Sequence, residues 1–266
     1  MLTPTGLLLV TRALEFLLAI SLGLQTLEFL RLSEATSAHG LWAWSVQRRD
    51  IPQAWLRPCL DALMRPSTYK TLLWLRLVAA LCLGLWGGSL ALVLFLFAGT
   101  VLILIRWRGA FNGGSDFMTL VVLTGLLIAY VGGEFVNPAL AWRAGLWYIT
   151  LQAVTSYFMS GWVKMLRPEW RSGAAMTIFL NAAIYGPLSP KHWLRKPGLA
   201  CFGAWSFMLW EATFPLALMH PLWALLYCSV AAMFHLLVFW FFGLNRFFWA
   251  WLATFPAIVG CSVLWI

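Results

Sequence analysis

Charged residues along this chain gather in the gaps between long apolar blocks, with few inside them. A helix that crosses a bilayer needs roughly 20 mostly apolar residues, because the hydrocarbon core is about 30 Å thick and each helical residue rises about 1.5 Å. Blocks of that kind lie at about 6–30, 71–86, 88–106, 116–136, 139–163, 199–219, 221–242 and 245–265. The pattern predicts an all-α, polytopic integral membrane bundle of about eight transmembrane helices, with 1–266 as a single domain. The run from 71 to 106 decides the count. As one helix it would be about 54 Å long, nearly twice the hydrocarbon thickness. Gly84, Gly87 and Gly88 interrupt it, so it divides into a tight helical hairpin. The first block is too long for a secretory h-region and carries Arg12 and Glu15, which makes it a retained helix. In the two long connections, 31–70 and 164–198, the segments Leu41 to Trp44, Ala54 to Met64 and Ala174 to Tyr185 read as short helices lying at the membrane interface.

Composition agrees with this reading. Hydrophobic residues make up 62% of the 266 and charged residues 10%, against about 25% charged in a soluble domain. The formal charge of +9 would suggest nucleic acid in a soluble protein. Here the bases flank apolar blocks, so anionic lipid headgroups are the expected partner and nucleic acid is not. Their distribution also orients the chain. Of the 18 lysines and arginines, Arg12 and Arg76 lie within spans, Arg143 falls on one side, and the rest fall on the other. By the positive-inside rule both termini are non-cytoplasmic and both long loops cytoplasmic. No two of Cys59, Cys82, Cys201, Cys228 and Cys261 form a CxxC spacing, which argues against a thiol redox centre or a structural zinc site.

Ionisable side chains inside a bilayer cost about 2.5–3.5 kcal/mol each, so they face the bundle interior and find partners. Arg12 and Glu15, three apart on one helix face, can neutralise each other, and the pair reads as an aid to insertion of the first helix rather than as chemistry. Arg76, Glu134 and Glu211 need partners that the sequence does not name. If alternate spans leave on one face, that face gathers Arg106, Arg108, Asn112 and Asp116, then Lys164, Arg167, Glu169 and Trp170, with His235 and Glu211 deeper. A polar cavity opening there is the default site. Each residue also has a plainer reading: headgroup-level bases for Arg106 and Arg108, a hydrogen-bonded core histidine for His235, a snorkelling side chain for Lys164.

At these residues the chain resembles a known family. The segment Ser160-Gly161-Trp162-Val163-Lys164, followed by Glu169-Trp170 and Gly173, resembles the signature of the horizontally transferred transmembrane (HTTM) domain, the membrane domain of vitamin K-dependent gamma-carboxylase and of short bacterial proteins. Glu211-Ala212-Thr213-Phe214-Pro215-Leu216, then Phe234-His235 and the aromatic run to Pro256, resembles that family's last helices. Arg106 to Leu120, with Asn112-Gly113-Gly114-Ser115-Asp116, resembles the loop of its bacterial members. The resemblance implies an intramembrane cavity for a quinone-like lipid-soluble molecule, with Lys164 as the base and His235 as its hydrogen-bond neighbour. Arg106, Asn112, Asp116, Trp170 and Glu211 are the expected binding residues. Three features depart from the carboxylase. Its large soluble substrate-holding region is expected to be missing, Lys164 to Trp170 is one residue longer, and the charge distribution places Lys164 at the cytoplasmic rather than the lumenal face. Membrane-confined redox or modification chemistry is the leading expectation, and a non-catalytic subunit or assembly and maturation factor with a partner protein is the alternative. A transporter fits less well, for lack of an internal repeat or paired broken helices.

Overall fold

A computed structural model of the chain describes residues 3–108, 113–184 and 186–263. Its regular elements, among the described residues, are all helical. The long ones are α1 (Pro4–Arg31), α4 (Pro66–Trp86), α5 (Leu90–Trp107), α6 (Gly113–Phe135), α7 (Pro138–Met165), α10 (Pro197–Ala212) and α11 (Pro221–Phe242). The short ones are α2 (Trp44–Gln47), α3 (Arg57–Leu63), α8 (Pro168–Arg171), α9 (Ala174–Asn181), α12 (Asn245–Leu252) and α13 (Phe255–Val263). Proline opens α1, α4, α7, α8, α10 and α11. It is suited to that position because the first helical N–H has no intrahelical acceptor and the ring presets φ. Side-chain caps complete several starts: Thr3 Oγ1 accepts from Gly6 N at 3.1 Å, and Asn137 Oδ1 from Ala139 N at 2.9 Å.

Six helices are long and apolar enough to cross a membrane: α1, α4, α5, α6, α11 and the α12–α13 pair, Asn245–Val263. The chain is therefore, by length and composition, a multi-pass membrane protein. The apolar blocks at 139–163 and 199–219 form helix but do not join that set. In α7 the length is ample, but small and polar residues dilute it: Gly145, Thr150, Tyr157 and Gly161 are all buried against neighbouring helices. The α10 helix stops after 16 residues. Pro215 cannot donate to the Glu211 carbonyl and its ring would meet it, so the chain tightens into a 3-10 turn, Phe214–Met219.

The expected break in 71–106 is a real hairpin. Gly87 takes φ +98° between α4 and α5, a conformation only glycine adopts without strain. Arg12 and Glu15 pair at 2.6 Å and also hold this turn. Arg12 donates to the Gly84 carbonyl at 3.0 Å, capping the end of α4, while Glu15 accepts from Gly88 N at 3.0 Å and Tyr130 Oη at 2.7 Å.

Three apolar cores result. The first joins α1, α4, α5, α6 and α7 through Leu14, Leu83, Leu96, Leu126 and Ile149. The second joins α7, the 3-10 turn, α11 and α13 through Tyr157, Phe214, Ala224 and Ile258. The third folds the 29–64 segment onto α4 and α5 around Phe29, Met64, Tyr69 and Trp107. Between them runs a buried polar chain. Arg76 donates to Gln25 Oε1 at 2.5 Å, to Thr100 Oγ1 at 3.1 Å and to Thr26 Oγ1. Gln25 Nε2 then donates to Asp116 at 2.7 Å. Arg246 reaches Asp116 at 3.1 Å and Glu28 at 2.7 Å. This chain ties α1, α4, α5, α6 and α12 together.

Candidate functional site

The last turn of α7 and the last turn of α10 meet because Gly161 lets them. A Cβ on Gly161 would lie 2.5 Å from Ala212 N and 2.7 Å from Met208 O, so only glycine permits this approach. The contact sets Lys164, three residues on, against Glu211. Lys164 Nζ donates to both carboxylate oxygens, at 2.7 and 2.6 Å, and to Ser160 Oγ at 2.7 Å. Ser160 in turn donates to Glu211 Oε1 at 3.1 Å. The Glu211 side chain is almost fully buried and that of Lys164 is 19% exposed. A buried pair of this kind is held by geometry, since its mutual attraction must offset the desolvation of both charges.

The exposed side of Lys164 faces a cavity of about 580 Å³. Its walls come from α8, α9, α10 and α11 and from the 193–194 segment, and apart from the ammonium they are almost entirely apolar. Phe207 and Trp170 flank the nitrogen, with ring centroids 4.7 and 5.2 Å from Nζ, within cation–π range. The 164–196 segment folds over this space through Gly173. Its φ is +80°, and a Cβ there would strike the backbone of Ala200 and Cys201. The Arg171 carbonyl, accepting from Trp205 Nε1 at 3.1 Å, holds α8 against α10.

Of the residues expected to form the site, Lys164, Trp170 and Glu211 come together, Glu211 lying behind the lysine rather than in the cavity wall. His235 does not join them. It is buried, its Nε2 lies 2.6 Å from Tyr157 Oη, its ring stacks on Trp251 at 5.1 Å, and Nδ1 has no partner among the described residues. Its partner is thus Tyr157 and not Lys164. Arg106 is wholly buried in the third core, where it donates to the Thr36 carbonyl at 3.0 Å and lies over the rings of Trp44 and Tyr69. Asp116 belongs to the polar chain with Gln25 and Arg246. Asn112 lies outside the described residues. Two participants were not among the expected site residues. Ser160, read only as part of the family motif, stands four residues before Lys164, a spacing that puts both on one helix face and was available as a signal. Phe207 had none, being one phenylalanine among 19.

Among the described residues no group of three His, Cys, Asp or Glu side chains is placed to hold a metal ion. The arrangement offers one hydrogen-bonding cation, already neutralised by a carboxylate, at the side of a greasy aromatic chamber. It suits a neutral, lipid-soluble molecule with a polar atom to present to Lys164. No family model, no curated protein and no solved structure matches the chain.

Proposed function

We propose that this is an HTTM-type protein of the bacterial inner membrane whose cavity binds a quinone-like lipid-soluble molecule for membrane-confined redox or modification chemistry. The observation that carries the reading is the cavity itself: about 580 Å³, within the range of small-molecule sites, with Lys164 as its cation and aromatic side chains on several sides. The motif residues that suggested the family have connected tasks there. Gly161 permits the helix contact, Ser160 and Glu211 fix Lys164, Trp170 flanks it and Gly173 turns the covering segment.

A bound quinone supplies two-electron redox chemistry. The chain supplies the rest: its aromatic walls exclude water, Lys164 Nζ exchanges its bond to Ser160 for one to a ligand carbonyl or hydroxyl, and Glu211 holds that ammonium in place and, with Ser160, provides acceptors for its protons. In this reading α7 and α10 also cross, giving eight passes. Support comes from α7 running back along α6, with Ala141 against Gly132 near one end and Gly145 and Ile149 against Gly125 further along. The short helices of the 31–70 and 164–198 connections then lie at the headgroup level, on the cytoplasmic side.

Gly203 provides the test. It lines the cavity, and a Cβ there would meet nothing within 4 Å, so the leucine of Gly203→Leu starts in open space, occupies part of the chamber and improves helix propensity. Extraction and mass spectrometry of the protein purified from its native membrane should find an isoprenoid quinone near equimolar in wild type and at least tenfold depleted in Gly203→Leu, with thermal stability unchanged. A stoichiometric partner chain without a small molecule, or a quinone that Gly203→Leu retains, overturns the proposal and favours a subunit or assembly role.

A further inference from the structure

We propose that the outward face of α7 is a self-association surface, on which Gln152 of one copy hydrogen-bonds Gln152 of a second across a twofold axis parallel to the membrane normal. The inference rests on reading α7 as a membrane crossing. One side of this helix is covered by α6, α10 and α13, while Leu151, Gln152, Thr155, Met159, Trp162 and Val163 form an exposed stripe on the other. The apolar members of that stripe need no explanation in lipid. Gln152 does.

It stands three residues, or about 4.5 Å along the axis, beyond Ile149, which packs on Gly125 near the middle of α6. Its side-chain amide is exposed and has no hydrogen-bond partner among the described residues. Ser156, by contrast, is satisfied within its own helix, its hydroxyl donating to the Gln152 carbonyl at 2.7 Å. A primary amide carries two donors and an acceptor, and acyl chains can meet none of them. Amides and other polar side chains in this setting draw helices together.

The chemistry of the group selects the partner. An amide is complementary to itself: two facing glutamines exchange two reciprocal N–H···O bonds, whereas an unpaired charge on this face would repel its own copy. A twofold axis along the membrane normal places equivalent residues at equal depth, which is the condition for that exchange.

The test uses the full chain in phosphatidylethanolamine–phosphatidylglycerol vesicles. With the exposed Cys59 replaced by Ser, Thr155→Cys, one turn from the intact Gln152, should resist a membrane-impermeant maleimide and, under mild oxidation, give a covalent dimer absent from the parent and from Leu81→Cys, a lipid-facing control on α4. Gln152→Leu should weaken association on dilution by roughly 3- to 30-fold and leave thermal stability unaltered, with Gln152→Asn intermediate. A Thr155→Cys protein shielded from the maleimide yet monomeric overturns the dimer and leaves the crossing intact. Rapid maleimide labelling refutes the crossing itself, and the dimer with it. Cross-linking to a different protein, or a wild-type dimer that Gln152→Leu leaves unchanged, also overturns the proposal.

Discussion

Lys164 and Glu211 constrain each other's substitutions. Removing the ammonium leaves a nearly buried carboxylate without its countercharge, a loss of about 3–5 kcal/mol for a buried pair. Lys164→Met should therefore lower the melting temperature, and Lys164→Met combined with Glu211→Gln should recover most of it while ligand turnover stays lost in both. Lys164→Arg keeps the charge but does not readily release a proton, so it should retain the fold and lose turnover if the proton matters. Melting curves and activity in the native host, compared across the three variants, check this; a working Lys164→Arg limits the lysine to a headgroup or ligand contact. Sequence flagged Glu211 as needing a partner and Lys164 as the candidate base but could not pair them, because 47 positions separate them and only the closure at Gly161 joins their helices. Arg12 and Glu15 were legible as a pair, since three residues on one helix suffice. His235 was legible as buried, while Tyr157, 78 positions away, was not legible as its partner.

At the level of elements, the hairpin between α4 and α5 shows what a glycine cluster conveys and what it omits. Gly84, Gly87 and Gly88 marked the break. Nothing local revealed that α1 and α6 hold it, through Arg12, Glu15 and Tyr130. A side chain at Gly88 would run into Tyr130 Oη and would lie 2.8 Å from Glu15 Oε1. Gly88→Ala should thus cost about 1–3 kcal/mol, the usual penalty for overpacking, and Tyr130→Phe should restore little of it because Glu15 still obstructs. Thermal unfolding in detergent measures both. The same contacts alter what the Arg12 and Glu15 pair is for: beyond easing insertion it terminates a helix, so its double replacement should destabilise the hairpin. Expected crossings were legible as apolar blocks. Their continuity was less so, since in α10 the stop came from Pro215, and in α7 the residues that dilute apolarity are those that pack against its neighbours.

For the whole molecule, the open question at the membrane is orientation. The placement of the bases predicts that cysteines introduced beside Thr3 and beside His192 react from opposite faces, with His192 cytoplasmic. Labelling with an impermeant maleimide in intact cells and in inverted vesicles decides it: reaction from one face alone removes the eight-pass reading, and opposite faces with His192 outside reverse the charge rule. The helical membrane class was legible throughout, because composition and block length fix it. A cavity was expected at the Lys164 face, but a polar one; its apolar, aromatic walls were not legible, because they depend on how four helices and a loop segment meet around a space.

The buried chain from Arg76 through Gln25 and Asp116 to Arg246 also sets a schedule for biosynthesis. Asp116 is made 130 residues before Arg246. At roughly 5–20 residues per second, the carboxylate of α6 is complete on the order of ten seconds before its cation exists. Gln25, already inserted with α1 and bonded to Arg76, can give it one hydrogen bond in the interval, but the direct ion pair waits for α12. A ribosome that stops before α12 leaves behind a bundle in which the Asp116 carboxylate lacks its direct countercharge.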